Sequence, residues 1–375
     1  MRGATGHAFR GEGHSRLLPS RTGARSRPGR RPLPDRVAAP WPPKHHARHR
    51  TARDQSHCGG RTRRLRSAGP EPAPQGADLT PHLTPLTDPT VGPDARRLVW
   101  LASDADGNPV GSAFMRLADR DGQRHLAELS LQVHPAERRH GVGTRLLDAA
   151  VTAAKDDGRR SLVAPADDAS PADLFLAARG FRRVLNMTYA RLPLADADVS
   201  ALERTVLAAH PGYRLISWEG TVPDHLAATF TASRRAMDDM PMDDTDYGKV
   251  EWTVDRVRAA AAAVERRGEL LDTVAAIDAS DGSVVGFTEL VVPGDGTGDG
   301  QHYGTGVLPE HRGHGLARWM KAESILRARG RHPGLSGLLT DTADSNTHMR
   351  AVNDGLGYAP THRTYQYQLD LQRGH

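Results

Sequence analysis

The sequence predicts an α/β protein with two tandem units, each an α+β mixed sheet with flanking helices, and an incomplete start to the first unit. Two observations lead to this prediction. Short blocks recur in the same order about 174 residues apart, and strand-like and helix-like patterns alternate within each copy. A change in composition near residue 78 separates a tail from the repeats. We therefore expect a tail over residues 1–78, a first unit over 79–195 and a second unit over 196–375.

The repeat is clearest at a turn rich in small residues. Residues 135–143 match residues 309–317, and both segments carry arginine, glycine and a second small residue at the same spacing. Upstream, Asp-Gly pairs at 106–107 and 281–282 separate apolar runs, which is a strong hairpin signal. Downstream, matching glycines precede an aromatic residue. Three matched blocks in one order indicate an internal duplication.

Each copy is predicted to contain a hairpin, a third strand, the turn, a helix, a fourth strand, a second helix and a terminal strand. Gly158 and Gly330 are expected to end the first helix of each copy, and Ser170 to begin the second helix of the first copy. The predicted strands are 98–103, 110–117, 126–133, 161–164 and 183–192, with a helix over 143–155, and in the second copy 273–277, 284–292, 303–307, 337–341 and 363–371, with a helix over 317–329.

The second copy has additional elements in front of its hairpin. A strand is predicted over 213–218, and helices over 224–237 and 254–267, the latter ended by Gly268. The equivalent start of the first copy would lie near residue 37, inside the tail. We therefore expect the first unit to lack both its first strand and the two helices that follow it.

The net charge of +5 conceals two unlike parts of the chain. Residues 1–78 hold 17 Lys and Arg against 5 Asp and Glu, whereas residues 79–375 hold 33 against 40. The tail is rich in Pro and Gly and lacks apolar periodicity, so we expect it to be disordered. Its basic runs allow a nucleic-acid-binding arm. We favour a non-functional tail or translated upstream DNA, because charge runs alone discriminate poorly.

Other features of the composition argue against several classes of protein. Cys58 is the only cysteine, so a disulfide within the chain is excluded and a cysteine-based zinc site is not expected. No apolar run approaches the roughly 20 residues of a membrane helix, and the basic N terminus lacks the apolar core of a secretory signal. His311 and His314 flank the second turn without a third metal ligand. We expect a cytoplasmic protein with no membrane partner and no metal.

The repeated turn predicts an anion site. It lies between a predicted strand and a predicted helix, and its small residues let backbone N–H groups crowd around one point. The unpaired N–H groups of a helix N terminus add a partial positive charge. A pyrophosphate suits such a site, whereas the alternative is a tight turn that needs glycine for its conformation. Two matches at the same distance from equivalent hairpins favour the anion site.

With these turns the chain resembles the GNAT superfamily of N-acetyltransferases, over about residues 97–194 and 212–372. It is similar to tandem members of actinobacterial type, and residues 127–135 make the first unit distantly similar to mycothiol synthase, itself a tandem protein. The resemblance implies a mixed sheet whose fourth and fifth strands splay apart, with acetyl-CoA as cosubstrate between them. It also implies acetyl transfer to an amine of a small molecule or peptide.

The resemblance places the acetyl-CoA pyrophosphate at the turns, and its arm beside an asparagine that begins the last helix. In the first copy, Ala169 replaces that asparagine. The implied cofactor-binding residues are Val133, Arg138, Arg139, His140, Gly141, Val142 and Gly143 in the first unit, and Val307, Arg312, Gly313, His314, Gly315, Leu316, Ala317 and Asn346 in the second.

The family commonly has a tyrosine seven residues after this asparagine, which serves as general acid toward the leaving thiolate. Here that position holds Asn353 in the second copy and Leu176 in the first. A thiolate with a pKa of about 8.5 can leave without full protonation, so catalysis is not excluded. Tyr358, Tyr303 or a water could substitute, and we assign Tyr358 as the candidate acid.

A base that receives the amine proton should lie near the splay. Glu289 is the main candidate, and strand alternation places it on the face opposite Thr288. Glu128 and its counterpart His302 are further candidates, and a solvated side chain on a strand is the alternative reading for the carboxylates. The acidic loop over 238–244 could attract a cationic amine, or be merely solvated.

The complete front helices, the turn at Arg312 and Asn346 favour the second unit as the catalytic one. We therefore predict an acetyl-CoA-dependent N-acetyltransferase with chemistry in the second unit. The alternative is a degenerate acyl-CoA-binding or regulatory module without turnover, which the missing tyrosine favours. The acceptor amine and the oligomeric state stay open at this point.

Overall fold

The fold is described from a computed structural model, which describes residues 82–87, 95–119, 122–247 and 251–372. The predicted tail over 1–78 lies outside these residues. The described part of the first unit contains β1 His82–Thr87, β2 Ala95–Ser103, β3 Pro109–Ala118, β4 Leu126–Val133, α1 Val142–Asp156, β5 Ser161–Asp167, α2 Pro171–Ala178 and β6 Arg182–Pro193. The second contains α3 Val199–Leu207, β7 Tyr213–Glu219, α4 Asp224–Ser233, α5 Val254–Arg266, β8 Glu269–Asp278, β9 Val284–Pro293, β10 Gly298–Val307, α6 Leu316–Arg331, β11 Leu335–Ala343, α7 Thr347–Asp354 and β12 Ala359–Asp370.

The twelve described strands form one mixed sheet in the order β1-β2-β3-β4-β5-β12-β6-β11-β10-β9-β8-β7. The β4–β5 and β10–β11 pairs are parallel, and the other described pairs are antiparallel. Each unit contributes a run of antiparallel strands that ends in one parallel pair. The predicted fold class, two tandem mixed-sheet units, is confirmed.

The two units share their terminal strands. β12, which ends the second unit, lies between β5 and β6 of the first unit and pairs with both of them. β6, which ends the first unit, lies in turn between β12 and β11. β12 therefore separates β5 from β6 within the first unit, and β6 separates β11 from β12 within the second. The sequence repeat did not predict this arrangement.

Turn and cap chemistry explains why the predicted elements form where they do. Gly107 and Gly282 adopt φ of 84° and 78° in the two hairpins, a conformation in which glycine has no steric penalty. The Ser170 hydroxyl accepts a hydrogen bond of 3.2 Å from the Asp173 backbone N–H and caps α2 as predicted. Gly180, with φ of 80°, follows the end of that helix.

The first unit does have a first strand, so the expectation that it lacks one was wrong. β1 pairs antiparallel with β2, which is also the relation of β7 to β8. Counting back from the second unit placed this strand near residue 37, because the count assumed two helices between the first two strands. Only residues 88–94 connect β1 to β2. That connection is too short to contain helices like α4 and α5.

The helices differ from the prediction at three points. Gly330 lies inside α6 and does not end it, because the helix continues to Arg331 and the restriction before Pro333 ends it. The helix predicted over 224–237 is α-helical only to Ser233, and a tighter 3-10 turn covers Arg234–Met237. Helix α3 was not predicted, because it lies in the connection between the two copies.

The second half of the sheet is covered on both faces. α4 and α5 pack on one face around Phe230, Val257 and Phe287. α6 packs on the opposite face, where Met320 and Val285 are buried. Within the described residues, no helix combines the length and apolarity required to cross a membrane.

Candidate active site

Each unit contains a cleft where its two parallel strands separate. β4 and β5 pair only as far as Glu128 and Val163, although both strands continue for several residues. β10 and β11 pair only as far as Gln301 and Leu339 and then diverge. The splay that the resemblance implied is therefore present twice.

The turn after each splayed strand has the same backbone shape in both units. Its φ values are 71° at Arg139 and 82° at Gly141 in the first unit, and 83° at Gly313 and 73° at Gly315 in the second. Gly141 and Gly315 are the N-caps of α1 and α6, and neither helix start receives a hydrogen bond from its N-cap side chain. The leading N–H groups of both helices are therefore left for an outside acceptor, such as a phosphate.

The arginine of each turn ties the turn to its own strand. Arg138 Nε donates to the Val133 carbonyl at 3.4 Å, and Arg312 Nε donates to the Val307 carbonyl at 3.1 Å. Arg312 also pairs with Asp239 at 3.2 Å. Both side chains therefore support the shape of the turn. The predicted binding residues Val142, Leu316 and Ala317 are buried under their helices, whereas His140 and His314 are exposed.

The strand that precedes the turn has a β-bulge in the second cleft but none in the first. The register of β10 against β9 shifts between His302 and Gly304, which makes Tyr303 the extra residue. β4 pairs with β3 without a register shift from Leu117 to Gly111. A bulge redirects the backbone and leaves ladder groups unpaired, and bulges are frequent beside active sites. The two clefts thus differ where their strands separate.

A cavity of about 2550 Å³ joins the two clefts. It extends from the first turn, across both splays, to the α4 and α5 side of the second unit. Of the predicted cofactor-binding residues, Val133, Arg138, Arg139, Gly141, Gly143 and Asn346 line it. The described residues of the second turn, from Val307 to Ala317, lie outside that lining.

Glu289 belongs to a buried ion pair on the wall of this cavity. Arg234 donates to the Glu289 carboxylate through both terminal nitrogens, one of them at 2.8 Å from Oε2. The guanidinium carbon lies 4.5 to 4.9 Å from the centroids of the Phe230, Trp252 and Phe287 rings. Only 7% of Glu289 is exposed. Glu289 is therefore not the solvated strand carboxylate of the alternative reading.

Glu128 is bound by groups from both units. Arg116 Nη1 lies 2.9 Å from each carboxylate oxygen, and the Tyr247 hydroxyl donates to Oε1 at 2.7 Å. Arg116 lies across the β3–β4 ladder from Glu128, but Tyr247 belongs to the second unit. A side chain of the other unit therefore reaches the inner end of the first cleft.

Three buried polar side chains lie under the second cleft, on the face opposite Glu289. His302 Nε2 and the Tyr358 hydroxyl are 2.9 Å apart, and Lys321 Nζ lies 4.9 Å from the centre of the Tyr358 ring. Burial lowers the pKa of Lys321 to about 7, against the opposing effect of Asp341, and burial raises the pKa of Tyr358. His302 lines the cavity. Tyr358 lies behind His302, outside the cavity lining.

Thr288 confirms the predicted alternation of β9. Its hydroxyl lies 2.7 Å from that of Thr305 and 3.5 Å from His302 Nδ1, so it shares the face of His302 and not that of Glu289. The candidate base and the candidate acid therefore lie on opposite faces of the sheet. Glu289 and Tyr358 could act on the same substrate only at the opening between β10 and β11, which both faces of the sheet border.

The two asparagines of the last helix have different roles. Asn346 caps α7, because its Oδ1 accepts a hydrogen bond of 3.1 Å from the Met349 N–H, and it also lines the cavity. Asn353, at the position of the family tyrosine, is 3% exposed and donates to Thr342 at 3.0 Å. It does not line the cavity, so a direct acid role for Asn353 has no geometric support.

Three carboxylates of the acidic loop contact arginine or serine side chains elsewhere in the chain. Asp239 pairs with Arg312, Asp244 pairs with Arg182 at 2.8 Å, and Asp243 accepts from the Ser345 hydroxyl at 2.6 Å. Within the described residues, no cluster of three or more His, Cys, Asp or Glu side chains is arranged to hold a metal.

Sequence reasoning missed Arg234, Arg116, Tyr247 and Lys321. Lys321 had a detectable signal, because it lies among Ala317, Met320 and Ser324 on the buried side of its helix. The other three had none. Their importance comes from partners that the chain brings together only in three dimensions.

The splayed sheet and the paired turns define a class of protein. The profile of the Acetyltransferase (GNAT) family matches residues 69–181 and 237–358, which together exceed half of the chain. The chain therefore belongs to the GNAT acetyltransferase family, as its resemblance implied, and by class it is an acyltransferase.

Two relatives have the name mycothiol acetyltransferase. The protein of Stackebrandtia nassauensis is 30% identical over 266 residues, which cover 68% of this chain and 77% of that protein. The protein of Nocardia farcinica is 28% identical over 316 residues, which cover 77% of this chain and 98% of that protein. The distant similarity of the first unit to this group is thus seen across both units.

Two solved structures have the same fold. A tandem GNAT protein from the clavulanic acid biosynthesis pathway has a TM-score of 0.62 and 24% identity, over 76% of this chain and 86% of that one. A GCN5-related N-acetyltransferase from Sphaerobacter thermophilus has a TM-score of 0.55 and 16% identity, over 76% and 82%. At such identities the likeness establishes the fold alone.

Proposed function

We propose that the protein transfers an acetyl group from acetyl-CoA to the amine of a small molecule or peptide, and that the second unit catalyses the transfer. The observation that carries this proposal is the difference between the two clefts. Both have the splay and the phosphate-type turn, but only the second combines them with a bulge and with helices α4 and α5 beside the cavity. Holding both reactants in place supplies much of the rate of a two-substrate reaction.

The turns support binding of the pyrophosphate of acetyl-CoA. The N–H groups at the start of α6, which follow Gly315, favour negative charge because no N-cap side chain pairs with them, and the same holds after Gly141. The splay between β10 and β11 leaves backbone groups beyond Gln301 free of each other, which suits the extended arm of the thioester. Asn346 lines the cavity near that splay.

The first unit lacks the helices that border the acceptor side of the cavity in the second. Its first two strands are joined by residues 88–94, which are fewer residues than either α4 or α5 contains. Tyr247 contacts Glu128 at the point where β4 and β5 separate. An amine at this point would lie against the Tyr247 side chain. The first unit can therefore hold a thioester, but it lacks the helices that would border an acceptor.

The reaction requires that the amine nitrogen bond to the thioester carbon, that the carbon–sulfur bond break, and that one proton leave the nitrogen. Glu289 remains the proposed base, because it lines the acceptor side of the cavity. Its pairing with Arg234 means that it would first have to exchange a hydrogen bond with the amine. Tyr358 remains the proposed acid, and it would act through His302, which separates it from the cavity.

The proposal is tested by supplying the full-length protein with acetyl-CoA and a panel of primary amines while free thiol is measured. We expect amine-dependent thiol release and an acetylated product detected by mass spectrometry. Thiol release with no acetylated amine, or with equal rates for all amines and for buffer, would contradict acetyl transfer.

A binding module without turnover is the second candidate function. The presence of Asn353 at the family tyrosine position and the closed pair between Arg234 and Glu289 favour it. Calorimetry separates the two candidates. A module would bind acetyl-CoA and leave it intact with every amine, whereas the enzyme would consume it.

A further inference from the structure

The loop between α4 and α5 of the second unit reaches the first unit. The Asp244 backbone N–H donates to the Val184 carbonyl at 3.2 Å, and Gln123 Nε2 donates to the Tyr247 carbonyl at 3.2 Å. His125 Nε2 lies 2.7 Å from the Asp246 carbonyl. We call residues 238–247 the crossing loop. It is hydrogen-bonded to β6 and to the turn before β4 of the first unit, although it belongs to the second.

One contact of the crossing loop differs from the others in burial and charge. The Tyr247 hydroxyl donates to the Glu128 carboxylate at 2.7 Å, and Glu128 is held by Arg116 at 2.9 Å. The exposed fractions of the Arg116 and Glu128 side chains are 11% and 18%. A hydrogen bond to a charged group in such a place is stronger than one between neutral groups in water.

The crossing loop also forms part of the wall of the shared cavity. Asp238, Met240, Pro241 and Met242 line the cavity together with Tyr247. Arg234 lines the same cavity on the acceptor side of the second cleft, and it belongs to the 3-10 turn that directly precedes this loop. A shift of this loop would therefore change the space in which an amine sits.

We propose that Glu128 of the first unit acts through Tyr247 as a positioning residue for the acceptor wall of the second unit. The first unit then supports the reaction by holding this wall in place and does not perform the chemistry. The inference rests on the proposed function for its kinetic consequence. Its structural consequence, an ordered crossing loop, can be measured without turnover.

The experiment compares Tyr247→Phe with Arg182→Gln in the full-length protein. Tyr247→Phe removes one hydroxyl and keeps the ring. Arg182→Gln breaks the Asp244 pair on the same loop, whose side chains are 62% and 72% exposed, so it should have little effect. The two readouts are hydrogen exchange of the amides of residues 238–247 and the separate values of kcat and KM for the amine.

For Tyr247→Phe we expect loop amides to exchange about tenfold faster, and the KM of the amine to rise about tenfold, or about 1.4 kcal/mol. We expect kcat to stay within about twofold, because the reacting groups are unchanged. Arg182→Gln should leave both readouts near those of the wild type. Equal exchange rates and equal KM values in the two variants would overturn the proposal.

A second variant guards against a general loss of structure. Replacing both members of the ion pair, Arg116→Met with Glu128→Met, removes the acceptor of the Tyr247 hydroxyl without leaving a buried unpaired charge. This variant should mimic Tyr247→Phe in loop exchange, and adding Tyr247→Phe to it should change little more, because both changes remove the same contact. Additive effects would overturn the proposed link. If the wild type turns over no amine, the proposed function fails, and the exchange data alone decide whether Glu128 anchors the loop.

Discussion

At the scale of residues, the second unit contains ionisable side chains that are almost fully buried. Lys321 is 1% exposed, and Arg234 and Glu289 are each 7% exposed. Burying a charge is costly unless it is paired or neutralised. Arg234 and Glu289 offset the cost of burial by pairing with each other, whereas Lys321 offsets it by losing its proton more easily, because its pKa is lowered. Each solution has a measurable consequence.

Lys321 should make the stability of the protein depend on pH. Its pKa falls from 10.5 to about 7 through burial. Between these values the folded state binds fewer protons than the unfolded one, so the free energy of unfolding should rise with pH. Lys321→Met removes this group while keeping an apolar side chain of similar length. In urea unfolding at about pH 7 and pH 10, the stability of the wild type relative to the variant should increase with pH. A difference that stays constant would contradict the lowered pKa.

Arg234→Met should destabilise the protein strongly, because it leaves Glu289 buried without its cation. Loss of one partner of a buried pair costs about 3–5 kcal/mol in the free energy of unfolding. The double variant Arg234→Met/Glu289→Met should recover most of that loss in the same urea measurement. Equal stability of the wild type and the single variant would mean that the pair does not form.

Sequence alone predicted the face of Glu289 but not its partner. Strand alternation fixes the face, since neighbouring side chains point to opposite sides. Arg234 lies 55 residues earlier, and the 3-10 turn that presents it was expected to be helix. Tyr247 and Glu128 are separated by 119 residues in the same way. Pairs of this kind depend on how whole elements pack.

At the scale of elements, β12 connects the two units, and its removal has a specific consequence. β12 pairs with β5 along Ser161–Asp167. A chain that ends at Tyr358 should therefore lose hydrogen-exchange protection in β5, although β5 belongs to the other unit and is about 200 residues away in sequence. Loss confined to the second unit would contradict the insertion of β12.

Local chemistry explains which elements were predictable. The hairpins, the helix caps and the strand–turn–helix segments follow from turn glycines and apolar periodicity, and they formed where expected. The strands β8, β10 and β12 begin four or five residues earlier than predicted. β6 and β12 were also predicted as strands. The strands with which β6 and β12 pair were not predicted. Both have edges that can pair with strands of either unit, and a sequence pattern does not specify which edge meets which strand.

At the scale of the whole molecule, the tail should be dispensable. Its composition lacks the apolar periodicity needed for a core. A chain that starts at Ala77 should match the full chain in melting temperature to within roughly 2 °C, and in acetyl-CoA affinity to within about twofold. Calorimetry and thermal unfolding measure both. A fall of many degrees would assign the tail a structural role.

The central claim is a division of labour between two similar units, and the two turn glycines test it most directly. Gly141 and Gly315 have φ of 82° and 73°, so a β-branched residue is strained at both to a similar degree. Gly141→Val and Gly315→Val are therefore matched variants. Equal melting temperatures for the two would confirm that any difference in activity arises at the cofactor turn.

The measurement is kcat/KM for acetyl transfer to the best amine of the panel. We predict that Gly315→Val lowers it by more than about tenfold, equivalent to about 1.4 kcal/mol, whereas Gly141→Val leaves it within about threefold of the wild type. If Gly141→Val abolishes turnover in a folded protein and Gly315→Val does not, the first unit is the catalytic one and the assignment is wrong.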